Sequence, residues 1–259
     1  MAWSPDLADG VALVVGGSGG LGRAICTGLS MAGAPVSFSY FQAADRAQEI
    51  VDEITNLGGD AAAVSLDPTD RAAVDAWMAG AAQQHGRVAH VVYAAGPSFA
   101  FGFIGEISTD EWHRVVNADV HGAFNVIQAA VQTFRTQGDG GNLVALTTAA
   151  LERVPVADIL SAAPKASIEM LIRGVAKEAG RFGVRANCVR PGWIDAGLGR
   201  RGLREKLDAA SRERIRERDI PLRRFGVAED VANAVVFLCS TQAGYVTGAS
   251  IEVDGGLHL

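Results

Sequence analysis

Short apolar runs alternate with helix-patterned segments from one end of the chain to the other. No other feature constrains the fold as much. The runs are Val11–Val15, Val36–Tyr40, Ala62–Leu66, His90–Ala94, Leu143–Thr147, Val184–Arg190 and Ser250–Val253. They are rich in valine and bounded by Gly, Pro or Asp, the pattern of β-strands. Most are apolar at consecutive positions rather than at every second one, so both faces of the sheet must be covered. The segments Leu21–Ala32, Ala43–Leu57, Arg71–His85, Asp110–Gln137, Ala162–Arg181 and Glu229–Ser240 read as helices. Repeated β-α-β order predicts an α/β fold: a doubly wound parallel sheet of about seven strands with helices on both faces. A chain of 259 residues, 49% hydrophobic and 20% charged, can bury such a core. No linker or low-complexity stretch divides residues 1–259, which read as one domain. The only long interruption runs from Trp193 to Gly226.

The first strand runs directly into Gly16-Gly17-Ser18-Gly19-Gly20-Leu21-Gly22. A tight turn with packing glycines would have the same composition. At a strand–helix junction, however, such a turn lets backbone N–H groups approach a pyrophosphate, and the helix N-terminus adds a favourable dipole. Gly16, Ser18, Gly19, Gly20, Leu21 and Gly22 are therefore candidate dinucleotide contacts. The net charge of −6 argues against nucleic acid as a partner. Cys26, Cys188 and Cys239 are far apart and form no CxxC pair, so neither a disulfide framework nor a metal site is expected. The first residues lack a basic and an apolar region, and the uncharged stretch Ala24–Ala44 is broken by Gly28, Gly33 and Pro35. Neither a signal peptide nor a membrane span is expected, and a cytoplasmic location is the default expectation.

The spacing of Gly16, Gly20 and Gly22 (G-x-x-x-G-x-G) resembles the short-chain dehydrogenase/reductase family, and the resemblance covers essentially the whole chain. It includes Tyr93-Ala94-Ala95-Gly96, where the family usually has Asn-Asn-Ala-Gly, and Arg190-Pro191-Gly192-Trp193-Ile194, which matches its nicotinamide loop. The tail, from Pro221-Leu222-Arg223-Arg224-Phe225-Gly226 to Val253-Asp254-Gly255-Gly256, is similar to the 3-oxoacyl-carrier-protein reductase branch. The resemblance implies a single-domain Rossmann-type fold and an NAD(P)-dependent oxidoreductase. It makes Asp67 an adenine-contacting acid and adds Tyr40, Ala94, Ala95, Gly96, Lys165, Pro191, Gly192 and Ile194 to the cofactor contacts. The second strand ends Ser39-Tyr40-Phe41, without the acid that would hold a ribose 2′-hydroxyl, so NADP(H) is expected over NAD(H). Arg46 reads either as a phosphate ligand or as a solvated helix arginine.

In this family a Tyr moves the proton, a Lys four residues later binds the nicotinamide ribose, a Ser thirteen before the Tyr holds the substrate oxygen, and an Asn orders water near the Lys. The chain matches the Lys with Lys165. The other three positions read Ser161, Thr148 and Asp119. Thr keeps the hydroxyl, but an aliphatic Ser is far less acidic than a phenol of pKa ~10. With Pro164 in view, Ser161 reads as a helix N-cap or as a catalytic group. Enoyl reductases of the superfamily carry their Tyr seven residues before the Lys, and here that position is Asp158. The three tyrosines, Tyr40, Tyr93 and Tyr245, fit neither register. Asp158 and Lys165 are candidate proton donors, Tyr93 reads as a third or, in preference, as packing against the adenosine or the core, and Asp119 is a candidate partner for Lys165. The catalytic candidates are thus Lys165, Thr148, Ser161, Asp119 and Asp158. The expected reaction is hydride transfer to a carbonyl, activated alkene or imine. The alternatives are a catalytically silent dinucleotide-binding sensor or assembly partner, and a non-redox enzyme on the same fold.

Leu198–Arg224 holds ten Arg or Lys and five Asp or Glu, a local +5 that leaves −11 for the remainder. It sits in 193–226, where the family places a substrate-covering lid. It reads as an attractor for an anionic or thioester small-molecule substrate, and equally as a solvated helix with pairs such as Glu213–Arg216. The family resemblance also implies a homotetramer or homodimer, with Asp110–Gln137 and Ala162–Arg181 pairing at the interface.

Overall fold

The valine runs form one parallel sheet. The computed structural model describes residues 5–197 and 207–259. Its strands are β1 (Val11–Val15), β2 (Val36–Tyr40), β3 (Ala61–Ser65), β4 (Val88–Tyr93), β5 (Gly141–Leu146), β6 (Val184–Pro191) and β7 (Ser250–Val253), arranged β3-β2-β1-β4-β5-β6-β7. The helices are α1 (Gly20–Met31), α2 (Ala44–Asn56), α3 (Arg71–His85), α4 (Thr109–Val116), α5 (Gly122–Gln137), α6 (Ile159–Ala179), α7 (Ala209–Arg214) and α8 (Ala228–Cys239). This is the Rossmann-type architecture. No helix among the described residues is long and apolar enough to cross a membrane.

Central strand β1 explains why the runs are apolar throughout. Val11, Leu13 and Val15 point into a core shared with Val74 and Met78 of α3, Phe134 of α5 and Ile168 and Ile172 of α6. Ala12 and Val14 point the other way, into a core with Ile25 and Leu29 of α1, Ile50 and Ile54 of α2 and Val235 of α8. Each fully buried Val or Leu contributes about 1.5–3 kcal/mol, so neither face could be left open to water. All three cysteines are free thiols in these cores, and burial pushes each thiol pKa up.

Parallel pairing aligns Val15, Tyr93, Ala145 and Cys188 in one row across β1, β4, β5 and β6. Successive strands run one way from β1 to β3 and the other way from β4 to β7. The crevice beyond the strand ends at the β1/β4 reversal is where such sheets bind ligands.

Three elements depart from the sequence reading. The expected helix Asp110–Gln137 is α4 and α5 separated by a π-helical turn, Asn117–His121. The expected helix Ala162–Arg181 begins earlier, at Ile159. Ser161 is therefore the third helical residue and not the N-cap; Asp158 holds that place without a side-chain capping bond. Pro164 is tolerated in the second turn because the bond it forfeits is the single one to the Leu160 carbonyl. Finally, the 193–226 interruption contains α7 and a second π-helical turn, Ile215–Asp219.

Candidate active site

A cleft of about 630 Å³ opens at the β1/β4 reversal. One end is the glycine turn. Gly16 takes a φ of +79°, and a Cβ on it would come within 2.9 Å of the Ala95 backbone. A Cβ on Gly22 would lie 2.2 Å from the Gly16 carbonyl oxygen. The turn is pinned to β2 by Gly16 N–H donating to Ser39 Oγ (3.1 Å) and Gly17 N–H to Ser39 O (2.9 Å). Helix α1 has no side-chain cap at Gly19, and Gly19, Gly20, Leu21 and Gly22 all line the cleft. Its unsatisfied first-turn amides and dipole suit a pyrophosphate, so the residues present fit a dinucleotide.

Of the other expected cofactor contacts, Ala94, Ala95, Gly96, Lys165, Pro191, Gly192 and Ile194 line the cleft. Gly16 and Ser18, also expected contacts, do not line the cleft, and Ser18 is buried. Tyr40 and Asp67 are outside the walls, and the Asp67 carboxylate accepts from Thr69 N–H and Oγ–H, both at 2.8 Å. Arg46, on α2, lines the glycine end and makes no hydrogen bond or ion pair among the described residues.

Helix α6 presents Asp158, Ser161 and Lys165 to the cleft at i, i+3 and i+7, one face of a helix rising 1.5 Å per residue. Lys165 Nζ donates to Asp119 Oδ1 at 2.8 Å and to the Ala95 carbonyl at 3.1 Å. Asp119 is 2% exposed and sits within the π-helical turn, a distortion frequent at functional sites. Tyr93 stays in the core: its hydroxyl donates to the Asp119 carbonyl oxygen (3.3 Å), and burial together with the Asp119 charge pushes its pKa up. It supports the turn that carries Asp119 and does not line the cleft.

Asp158 is different. Its carboxylate has no hydrogen bond among the described residues, and burial raises its pKa to about 6. The preceding Ala157 is held at φ +66°, with its carbonyl accepting from Gly102 N–H at 3.0 Å. A left-handed non-glycine residue costs about 1–2 kcal/mol, and such strain clusters at functional sites. Thr148 and Ser161 also face the cleft, and Thr148 Oγ1 accepts from Ala150 N–H at 3.2 Å. A carboxyl that is neutral below about pH 6, two hydroxyls and a paired ammonium can together hold a polar substrate atom and pass it a proton.

Sequence reasoning did not single out Phe99, Phe101, Pro155 and Val156, which with Trp193 form the apolar wall of the cleft. The available signal was the aromatic run immediately after Gly96. Arg153 joins that wall, tied to Asp219 (3.3 Å) and to the Leu257 carbonyl oxygen (3.2 Å). Of the basic segment, residues 198–206 lie outside the described residues. In the rest, Arg216 pairs with Glu213 and Glu217, and Arg224 with Asp230. Away from the cleft wall, Arg190 bridges Glu152, Glu169 and Glu252, and these partners raise its pKa. Nearby, the Asp254 carboxylate accepts from Gly256 N–H and from both N–H groups of His258, an arrangement that closes the C-terminal turn.

A family model described as enoyl-(acyl carrier protein) reductase matches residues 15–258. The chain is 35% identical over 247 residues to an L-rhamnose 1-dehydrogenase (NAD(P)(+)) of Sphingomonas sp. (strain SKA58), covering 95% of each. It is 31% identical over 252 residues to the 3-oxoacyl-(acyl-carrier-protein) reductase of Staphylococcus aureus (strain MW2), covering 96% of this chain and 98% of that one. A short-chain dehydrogenase/reductase from Serratia marcescens superposes with a TM-score of 0.87 at 31% identity, covering 98% of this chain and 99% of that one.

Proposed function

The chain belongs to the short-chain dehydrogenase/reductase family of NAD(P)-dependent oxidoreductases, and from that premise we propose that it reduces a small molecule at a carbonyl, activated alkene or imine carbon, with Asp158 supplying the proton that a phenol supplies elsewhere. The observation that carries this reading is that the glycine turn, Lys165 and Asp158 line one cleft. When bound there, the reduced nicotinamide cofactor supplies the hydride. The α1 amides hold the pyrophosphate, and Lys165, kept in place by Asp119, holds the nicotinamide ribose. Arg46 at the glycine end, with no acid at the end of β2, favours the 2′-phosphate of NADP(H). Thr148 and Ser161 orient the substrate heteroatom. Asp158 stands where the enoyl reductase branch has its Tyr, seven residues before the Lys, and a carboxyl with pKa about 6 is matched to proton transfer near neutral pH.

We further propose that 193–226 covers the substrate and that α5 and α6, which leave Phe124 and Met170 exposed, pair with other copies in a homotetramer. NADPH oxidation against ketones, enoyl thioesters, quinones and imines tests the enzymatic reading. Turnover that falls at least 100-fold in Lys165→Ala supports it. Cofactor binding without turnover, unchanged in that variant, would instead mark a catalytically silent dinucleotide-binding protein.

A further inference from the structure

We propose that the substrate end of the cleft is built for a cationic nitrogen, so that the substrate class is a protonated imine with an apolar body and Asp158 is its counter-ion. The inference rests on the oxidoreductase reading above and narrows its substrate.

The ionisable residues of the cleft wall, among those described, are Arg46, Asp119, Arg153, Asp158 and Lys165. Lys165 is matched by Asp119 and Arg153 by Asp219. Arg46 belongs to the far, glycine end. Among the described residues, only Asp158 is a substrate-side charge without a partner. A neutral ligand closing over the ionised form would leave the carboxylate unpaired or force it to take up a proton, and an anion would add repulsion. A cation removes both penalties.

Phe99 and Phe101 meet edge to face, with ring centroids 5.8 Å apart, and Trp193 lines the same space. Aromatic rings beside a carboxylate are the chemistry that recognises organic ammonium groups, the rings through cation–π attraction.

Hydride addition to a ketone leaves charge on oxygen, and a well-placed acid must meet it. No tyrosine lines this cleft, and Tyr245 is fully exposed. A protonated imine carries its proton already. If the imine arrives neutral, the Asp158 O–H bond breaks and an N–H bond forms, leaving a carboxylate–iminium pair. The imine carbon then accepts the hydride of the reduced nicotinamide, the C=N π pair returns to nitrogen, and the product is a neutral amine and the oxidised cofactor. That amine takes its next proton from water.

The test is calorimetric titration at pH 8 with tetrahydroisoquinoline, an ammonium ion at that pH, and its neutral oxygen isostere isochroman, with and without NADPH. An ion pair with aromatic contact predicts at least about tenfold tighter binding of the ammonium. Asp158→Asn should erase that preference and Asp158→Glu should retain it. In parallel, dihydroisoquinoline should be reduced with a kcat/KM at least 100-fold above that of α-tetralone. A preference under tenfold, binding of neither compound, or a preference that survives in Asp158→Asn overturns the cationic site. Failure of NADPH to bind would sink the oxidoreductase reading instead, and the ammonium titration on the free protein would still decide this one.

Discussion

Removing Asp119 should strand the Lys165 ammonium inside the protein. The pair is 2.8 Å long, with side-chain exposures of 13% for Lys165 and 3% for Asp119. At an effective dielectric of ~20, that separation corresponds to about 6 kcal/mol of attraction, part of which offsets desolvation of the two charges. Breaking one side of a buried pair costs about 3–5 kcal/mol. Lys165 keeps its bond to the Ala95 carbonyl and some contact with water, so Asp119→Ala belongs at the lower end, about 3 kcal/mol. For a chain of this size that is a fall in Tm of about 6–12 °C. Urea unfolding of Asp119→Ala, Lys165→Met and Asp119→Leu/Lys165→Met measures it. The double replacement should recover most of the loss, because apolar groups of similar volume do not need the pairing. A loss under about 1 kcal/mol in Asp119→Ala, or a double variant no more stable than that single one, would refute the view that the ion pair holds Lys165.

Gly22→Ala forces a Cβ to within 2.2 Å of the Gly16 carbonyl, which is backbone and cannot swing away. NADPH affinity, followed by fluorescence titration, should fall more than about tenfold as the turn is displaced; wild-type affinity would remove the turn from the binding site. Arg46→Ala should weaken NADPH by about tenfold and leave NADH within twofold; equal effects on both cofactors would free Arg46 from the 2′-phosphate. Asp158→Asn should stabilise the protein at pH 8 while abolishing turnover. The folded pKa of about 6 lies above the ordinary 3.8, so the folded state holds its proton longer than the unfolded one. The contribution of Asp158 is therefore intact below pH 4 and is lost as pH rises through 6. The full shift corresponds to about 3 kcal/mol, reduced to about 1–2 by partial solvent access. Urea midpoints of wild type and variant should coincide at pH 4 and separate by pH 8; no separation would contradict the buried, unpartnered carboxyl.

The sheet was legible because burial on both faces writes itself into unbroken runs such as Val11–Val15 and Val88–Tyr93. The glycine turn was legible because its steric demand admits few other residues. The break at Asn117–His121 was not, since the segment carries no proline or glycine and the backbone stays in the helical region on both sides of it. Nor was the start of α6: Ser161 and Pro164 have the signature of a helix beginning, but the chain is already helical at Ile159, with Asp158 turned to the cleft. Arg190 contacts Glu152, Glu169 and Glu252 at sequence separations of 38, 21 and 62 residues, which no local pattern encodes. Arg46 was recognisable as a cation, yet only the fold brings α2 beside the first turn of α1.

The most direct measurement is the pH dependence of NADPH oxidation, from pH 5 to 9 for wild type and Asp158→Asn, with a neutral ketone or enoyl thioester of the substrate panel. For such a substrate, an Asp158 proton donor predicts kcat/KM that declines as pH rises through about 6, where Asp158 gives up its proton, and a variant at least 100-fold slower in which that limb has disappeared. A wild-type profile flat across pH 6, or an Asp158→Asn variant with the same profile and rate, would contradict it.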